Sequence, residues 1–342
     1  MSKIIATFTM LTRKIAHVLS VAMCVGAVTS ASMAYADTRL KISGQHAPDH
    51  PATHALNDVA NTINGADVGL KAKVYPSNQL GDYTLVYEDI IRGSVDIAHL
   101  SVPSQLDPNL EVNFFPFLVS NYDEMRKVYS PGSCFYNAYS KMQENLGVRL
   151  MGIVPEGFIG VALTKPAKNL FKAGVDKGVQ IRVPPIDTFK TGASAMGFRG
   201  ITIAYADLYP ALQTGVADGW IGGTAALNYT GFRDVITEYV PYRAYVEATA
   251  YVMSQKSWDK LTEDQQNVVS NALTKAAQDA INRAEAEDSE YLAKLKEAGI
   301  KVHDFSGEVA QKMVADVRAT AWPALEKRFG SELVACMQSD IE

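Results

Sequence analysis

The chain has 342 residues, 47% of them apolar and 20% charged, and a formal net charge of −5. That supplies enough apolar surface for a full core and points to two domains. An acidic balance with no basic run argues against nucleic acid or an anionic membrane as partner.

Residues 1–36 read as a secretory signal peptide. Lys3, Arg13 and Lys14 make a positive start, Ile15 to Val28 an apolar stretch, and Ala34-Tyr35-Ala36 a small-x-small cleavage site before Asp37. The leader holds no acid, so its removal takes the charge from −5 to −8. No other run approaches 18 uninterrupted apolar residues, and a soluble, exported protein is expected. Cys134 and Cys336 remain, and they read either as a disulfide or as two buried thiols.

Alternation at Leu40, Ile42 and again at Leu70, Ala72, Val74 predicts two strands around a helix near Asn57 to Ile63. Asp96 to Leu100 is a further strand. Val148 to Val154 and Gly160 to Leu163 read as extended, Gly178 to Pro185 as a strand stopped by two prolines, and Thr202 to Ala204 as another. Strands alternating with helices define an α/β class with largely parallel sheets. Thr262-Glu-Asp-Gln265 fits a capping box. Apolar positions from Val269 to Leu295 then keep a helical period until Gly299. One helix of about 36 residues would be roughly 54 Å long and would span two lobes, the alternative being a break near Glu285 to Ser289.

The chain also repeats itself. Tyr83-Thr-Leu-Val-Tyr87 through Gly93 to Asp96 is echoed 122 residues later by Tyr205-Ala-Asp-Leu-Tyr209 through Gly215 to Asp218. Each copy reads as helix, glycine stop, then strand, and two copies imply two similar lobes enclosing a cleft.

Catalytic signatures are missing. There is no His-Glu-x-x-His, no Walker A loop and no Gly-x-Ser-x-Gly elbow, so an enzyme is not expected. His46, His50 and His54 recur every four residues, but Pro48 and Pro51 forbid a regular helix through them, and no metal or cofactor is expected. Arg182 stands out as a cation in the apolar strand Val179-Gln-Ile-Arg-Val. It reads either as an anchor for a ligand's acid group or as the partner of one of the chain's own carboxylates.

Tyr75-Pro-Ser-Asn-Gln-Leu-Gly-Asp82, Gln180-Ile-Arg-Val-Pro184 and Ala211-Leu-Gln-Thr-Gly-Val-Ala-Asp-Gly219 together resemble the solute-binding proteins of TRAP (tripartite ATP-independent periplasmic) transporters, DctP type. The resemblance runs through essentially the whole chain after the leader. It implies a periplasmic, two-lobed Venus-flytrap receptor, a monomer, that closes on a small organic anion. The anion is then delivered to the small and large subunits of a membrane permease driven by an ion gradient. The alternative is a subunit that presents the same anion to a membrane sensor. Arg182 falls at the family's acid-gripping position. Gln45, His46, His99, Ser101 and Tyr205 fall at pocket-lining positions by matching motifs.

Departures from the family pattern add to this. Trp220-Ile-Gly222-Gly223-Thr224 replaces the run in which many members place a ligand-touching asparagine, so Trp220 is expected as an apolar wall and the glycines as points of close approach. Glu156-Gly-Phe158 stands where sialic-acid binders carry a second arginine, so sialic acid is not expected. A small monoanion, carboxylate or sulfonate, fits these residues. The expected division is residues 37–157 plus 249–287 for one lobe and 158–248 plus 288–342 for the other.

Overall fold

In the computed structural model, residues 37–341 are described; the signal-peptide reading lies outside them. The strands are β1 (Thr38–Gly44), β2 (Leu70–Tyr75), β3 (Ile97–Leu100), β4 (Val148–Leu163), β5 (Gln180–Val183), β6 (Arg199–Thr202), β7 (Gly219–Gly223), β8 (Glu238–Ser254) and β9 (Lys301–Val302). They form one nine-stranded sheet in the order β2-β1-β3-β8-β4-β7-β5-β6, with β9 paired to β8.

That order repeats about its centre. β1 lies between β2 and β3, parallel to both, and β8 closes the group antiparallel to β3. β5 lies between β6 and β7, again parallel to both, and β4 closes that group antiparallel to β7. The long strands β4 and β8 pair with each other from Val148↔Ser254 to Leu163↔Glu238 and so belong to both halves. Their register shifts between Pro155 and Phe158, where Gly157 takes φ +120°, a conformation open chiefly to glycine. The result is an α/β, two-lobed binding-protein fold with both lobes hung on two common strands.

The internal repeat is real in three dimensions. The helix Tyr83–Arg92 is capped by the Asp82 carboxylate, ends at left-handed Gly93 and leads into β3. In the second copy a 3₁₀ turn, Tyr205–Asp207, runs into the helix Leu208–Gln213, then Gly215 at φ +75° and β7. The second helix is shorter because Pro210 lacks the N–H that would join it to the preceding turn.

Glu263–Glu297 is one unbroken helix of 35 residues with the expected capping box. Val269, Leu273 and Ala277 pack into the core around β1 and β3, while Tyr291 and Leu295 pack with Leu208, Trp220 and Phe232 in the other half. The helix therefore spans both lobes. The early helix runs Pro51–Gly65, longer than the apolar pattern indicates, with His50 as its N-cap. Val148 to Leu163 is one strand rather than two. Cys134 and Cys336 are disulfide-bonded with Cα atoms 5.7 Å apart, tying the helix Cys134–Glu144 to the C-terminal helix Ser331–Ser339.

Candidate functional site

Parallel strands that end side by side leave loops at their carboxyl ends, and here those loops converge. The turn after β1 carries Gln45 and His46. It is pinned to the loop after β2 by Ser77 N–H donating to the His46 carbonyl (2.8 Å) and Asn78 N–H to that of Gly44 (3.1 Å). Ser77 and Asn78 pay a small strain for this, both holding φ near +55°. Ser101 follows β3. Its N–H donates to Gln45 Oε1 (2.9 Å) and its hydroxyl to Glu247 Oε1 on β8 (2.9 Å).

From the other half come Arg182 on β5, Tyr205 and Gly222. These residues, with Tyr83 at the start of the first repeat helix, enclose a cavity of about 90 Å³. Phe114, Ile186, Phe189 and Leu227 complete it as apolar wall. The two leading tyrosines of the sequence repeat, Tyr83 and Tyr205, thus both face this space.

Arg182 is 3% exposed. Its Nε donates to the Ile203 carbonyl (2.9 Å), and its guanidinium lies 6.0 Å from the Tyr205 ring. It makes no ion pair with any carboxylate among the described residues. Burial lowers its pKa to about 10, partly offset by Tyr83, Tyr205 and Glu247, so it stays charged at neutral pH. The outer nitrogens of a charged guanidinium are thus left facing a mostly apolar cavity. Gly222 makes this possible: a Cβ there would stand 3.3 Å from Arg182 Nη1, and its φ of +135° suits glycine.

Beneath the cavity lies a second, drier cluster. His46 Nε2 sits 2.8 Å from Glu156 Oε1, and His99 Nε2 sits 2.8 Å from Thr249 Oγ1 and 3.5 Å from the same Glu156 oxygen. His50 stacks on His46 with ring centroids 4.0 Å apart. Burial alone would lower the His46 pKa, but the Glu156 carboxylate and, less strongly, Glu247 raise it above the ordinary imidazole value. Burial would likewise raise Glu156, yet His46, His50 and His99 hold it down at about 2. Burial depresses His99 to about 3, outweighing the pull of the Glu156 carboxylate, so it stays neutral. The cluster is therefore a His46–Glu156 ion pair with a neutral histidine beside it. His46, His99 and Glu156 each bring a potential ligand atom within 4.8 Å of the others. However, the 2.8 Å contact is closer than the ~3.3 Å separating ligands around tetrahedral zinc, and fits a hydrogen bond.

Of the residues expected at the site, Gln45, His46, Ser101, Arg182, Tyr205 and Gly222 line the cavity. The others do not, each for a definite reason. Trp220 is 1% exposed, with its indole packed on Phe232 and its Nε1 donating to Asn228 Oδ1 (3.0 Å), so it backs the site rather than walling it. Gly223 serves that tryptophan, since a Cβ there would come within 2.3 Å of its ring. Thr224 caps the helix Ala225–Phe232 and is buried in doing so. Phe158 is buried edge-on against Tyr122 in the core that holds Tyr129, Phe135 and Val246. His99 and Glu156 lie in the buried cluster below. His54 points away on its helix and joins neither group. Glu247 and Tyr83 line the cavity without having been singled out as site residues. The first was legible only as a lone acid in an apolar run, the second as the opening residue of the repeat.

Two α/β lobes sharing a pair of strands, with an arginine at the cavity between them that no described carboxylate pairs, are the architecture expected of a solute-binding protein. The chain belongs to the family described as bacterial extracellular solute-binding protein, family 7 (DctP), whose sequence profile matches residues 42–326. It is therefore a TRAP-type solute-binding protein and not an enzyme. Among curated relatives it is 23% identical over 350 residues to the C4-dicarboxylate-binding periplasmic protein DctP of Rhodobacter capsulatus, covering 96% of this chain and 99% of that one. It is 20% identical over 278 residues to the sialic acid-binding periplasmic protein SiaP of Vibrio cholerae, covering 80% and 85%. Among solved structures, the sugar acid binding protein of Advenella mimigardefordensis in complex with galactonate superposes with a TM-score of 0.80. That match is 20% identical and covers 89% of this chain and 98% of that one. Among the described residues no helix is long and apolar enough to cross a membrane.

Proposed function

We propose that this protein is a periplasmic receptor that closes its two lobes on a small organic acid, holds the acid group on Arg182, and delivers it to a TRAP permease. The observation that carries this reading is Arg182 itself. A buried guanidinium without a carboxylate is costly, and its planar fork matches an acid group through two parallel hydrogen bonds. The similar proteins support the chemistry, since C4-dicarboxylates, sialic acid and galactonate all carry a carboxylate. Export through a leader cleaved before Asp37 places the receptor where such a solute is met. No second subunit is needed for the cavity, and the receptor acts as a monomer.

In this reading residues 37–157 with 249–287 frame one lobe and residues 158–248 with 288–324 the other, while the C-terminal stretch from Leu325, expected with the second lobe, packs on the first through Val334, Met337 and the Cys134–Cys336 bond. The boundaries fall where β4 shifts register at Gly157 and at the matching point of β8, so the hinge lies in these strands and the long helix. A ligand that touches both lobes favours the closed form by its differential affinity for that form. Small-angle scattering before and after adding the solute released from purified protein should show a smaller radius of gyration on binding. An unchanged radius at saturation would count against closure.

A further inference from the structure

Arg182 is not the only ionisable group that meets the cavity without an ion-pair partner among the described residues. Glu247 lines the same space, is 7% exposed, and makes one hydrogen bond, accepting from the Ser101 hydroxyl on Oε1 (2.9 Å). Among the described residues its second oxygen has no donor, and it forms no ion pair with Arg182. We propose that the cavity is built for a small zwitterion, an acid group on Arg182 and a protonated amine whose N–H donates to Glu247. This rests on the receptor reading above and narrows its substrate class to amino or imino acids, carboxylic or sulfonic.

Once ionised, a carboxylate beside an acid-gripping arginine works against a plain anion and more strongly against a dianion, which makes it a selective element. Its ionisation becomes favourable only when the solute brings a cationic donor, because a buried carboxylate left unpaired loses its hydration with nothing in return. A polyhydroxylated acid is a poorer fit. Gln45, His46 and Ser101 are already engaged with one another and with Glu156 and Glu247, and Val102, Phe114, Ile186, Phe189 and Leu227 offer hydroxyls nothing, which leaves Asn78, Tyr83 and Tyr205 as the uncommitted polar groups of the lining. The volume of about 90 Å³ suits a compact body.

The charge balance supplies a second signature. Glu247 faces Glu156 on β4, His46 after β1, Arg182 on β5, and the neutral tyrosines Tyr83, Tyr129 and Tyr205. Burial and the Glu156 carboxylate raise its pKa to about 8, against the opposing pull of Ser101, His46 and Arg182. In the empty receptor at pH 7 it is mostly protonated. An ammonium at its oxygen favours the ionised form, so zwitterion binding releases a proton. Affinity for a zwitterion therefore rises with pH between 6 and about 8, by at most about tenfold per unit. A plain carboxylate shows the opposite sign, weakening as Glu247 ionises.

The test is calorimetric titration of wild type, Glu247→Gln and Arg182→Ala at pH 6 and 8. The probes are proline, β-alanine, γ-aminobutyrate and 2-aminoethanesulfonate, each paired with its deamino counterpart (cyclopentanecarboxylate, propionate, butyrate, ethanesulfonate), with lactate as the hydroxyl control. For wild type, at least one amino member should bind about 100-fold more tightly than its counterpart and than lactate, and more tightly at pH 8 than at pH 6. In Glu247→Gln that preference should collapse to about fivefold or less and the pH dependence should vanish, with a melting curve confirming the fold. Deamino acids or lactate that bind wild type as well as the amino acids do, and are lost in Arg182→Ala, overturn the zwitterion and leave the receptor standing. Silence from the whole panel overturns the zwitterion. Solute binding unaffected by Arg182→Ala overturns both.

Discussion

Arg182→Ala is expected to cost at least ~3 kcal/mol of binding free energy, more than a hundredfold in affinity, while leaving the fold intact. The loss is large because the fork makes charge-assisted hydrogen bonds in a space walled by Phe114, Ile186, Phe189 and Leu227, where water replaces them poorly. Truncation also leaves the solute's acid group buried without a partner. Arg182→Lys should recover only part, since an ammonium keeps the charge and loses the fork. Stability should hold because, among the described residues, Arg182 makes one hydrogen bond, to the Ile203 carbonyl, and no ion pair. Its removal relieves the burial of a charge. Titration calorimetry and a melting curve on the same variant read both quantities. Near-native affinity with a collapsed melting temperature would mean that the arginine is structural.

The second large effect lies far along the chain from the first. Cys134–Cys336 closes a loop spanning 202 positions and joins two helices whose Phe135 and Met337 share one hydrophobic core. Asp340 adds to the same junction, its carboxylate accepting from the N–H groups of Cys134 and Phe135 (2.9 Å each). A cross-link over so long a loop restricts the unfolded chain strongly, and its loss should cost about 2–5 kcal/mol. Cys134→Ser with Cys336→Ser, or reductant on wild type, should lower the melting temperature by several degrees. Solute affinity should hold, because neither cysteine lines the cavity. A melting temperature indifferent to reductant would show that the bond contributes nothing.

How much of this could be read beforehand depended on whether a signal was local. The capping box and apolar period of Glu263–Glu297 are written in consecutive residues, and the helix follows them closely. The repeat was legible for the same reason, with each glycine stop and following strand in one short stretch. Arg182 was conspicuous because a cation interrupts an apolar strand, yet whether it faced a protein carboxylate or open space depended on residues elsewhere. β8 carried no such mark. Buried on both faces, Glu238–Ser254 shows no alternation, so neither the strand nor its Glu247 was announced.

Trp220 misled because a large ring beside two glycines can fill their space from either side. Here the indole takes the room that Gly223 leaves, against Phe232, and Arg182 takes the room at Gly222. The His46–Glu156–His99 cluster lay beyond sequence reasoning altogether as a unit. Its members come from the turn after β1, the middle of β4 and the end of β3, and only the sheet order brings them together.

The most direct test of the central claim is mass spectrometry of whatever is released when the natively purified protein is denatured. The account predicts a small solute with a carboxylate or sulfonate, released from wild type and missing from Arg182→Ala prepared in parallel. A released solute without an acid group, or one retained equally by the alanine variant, would contradict it.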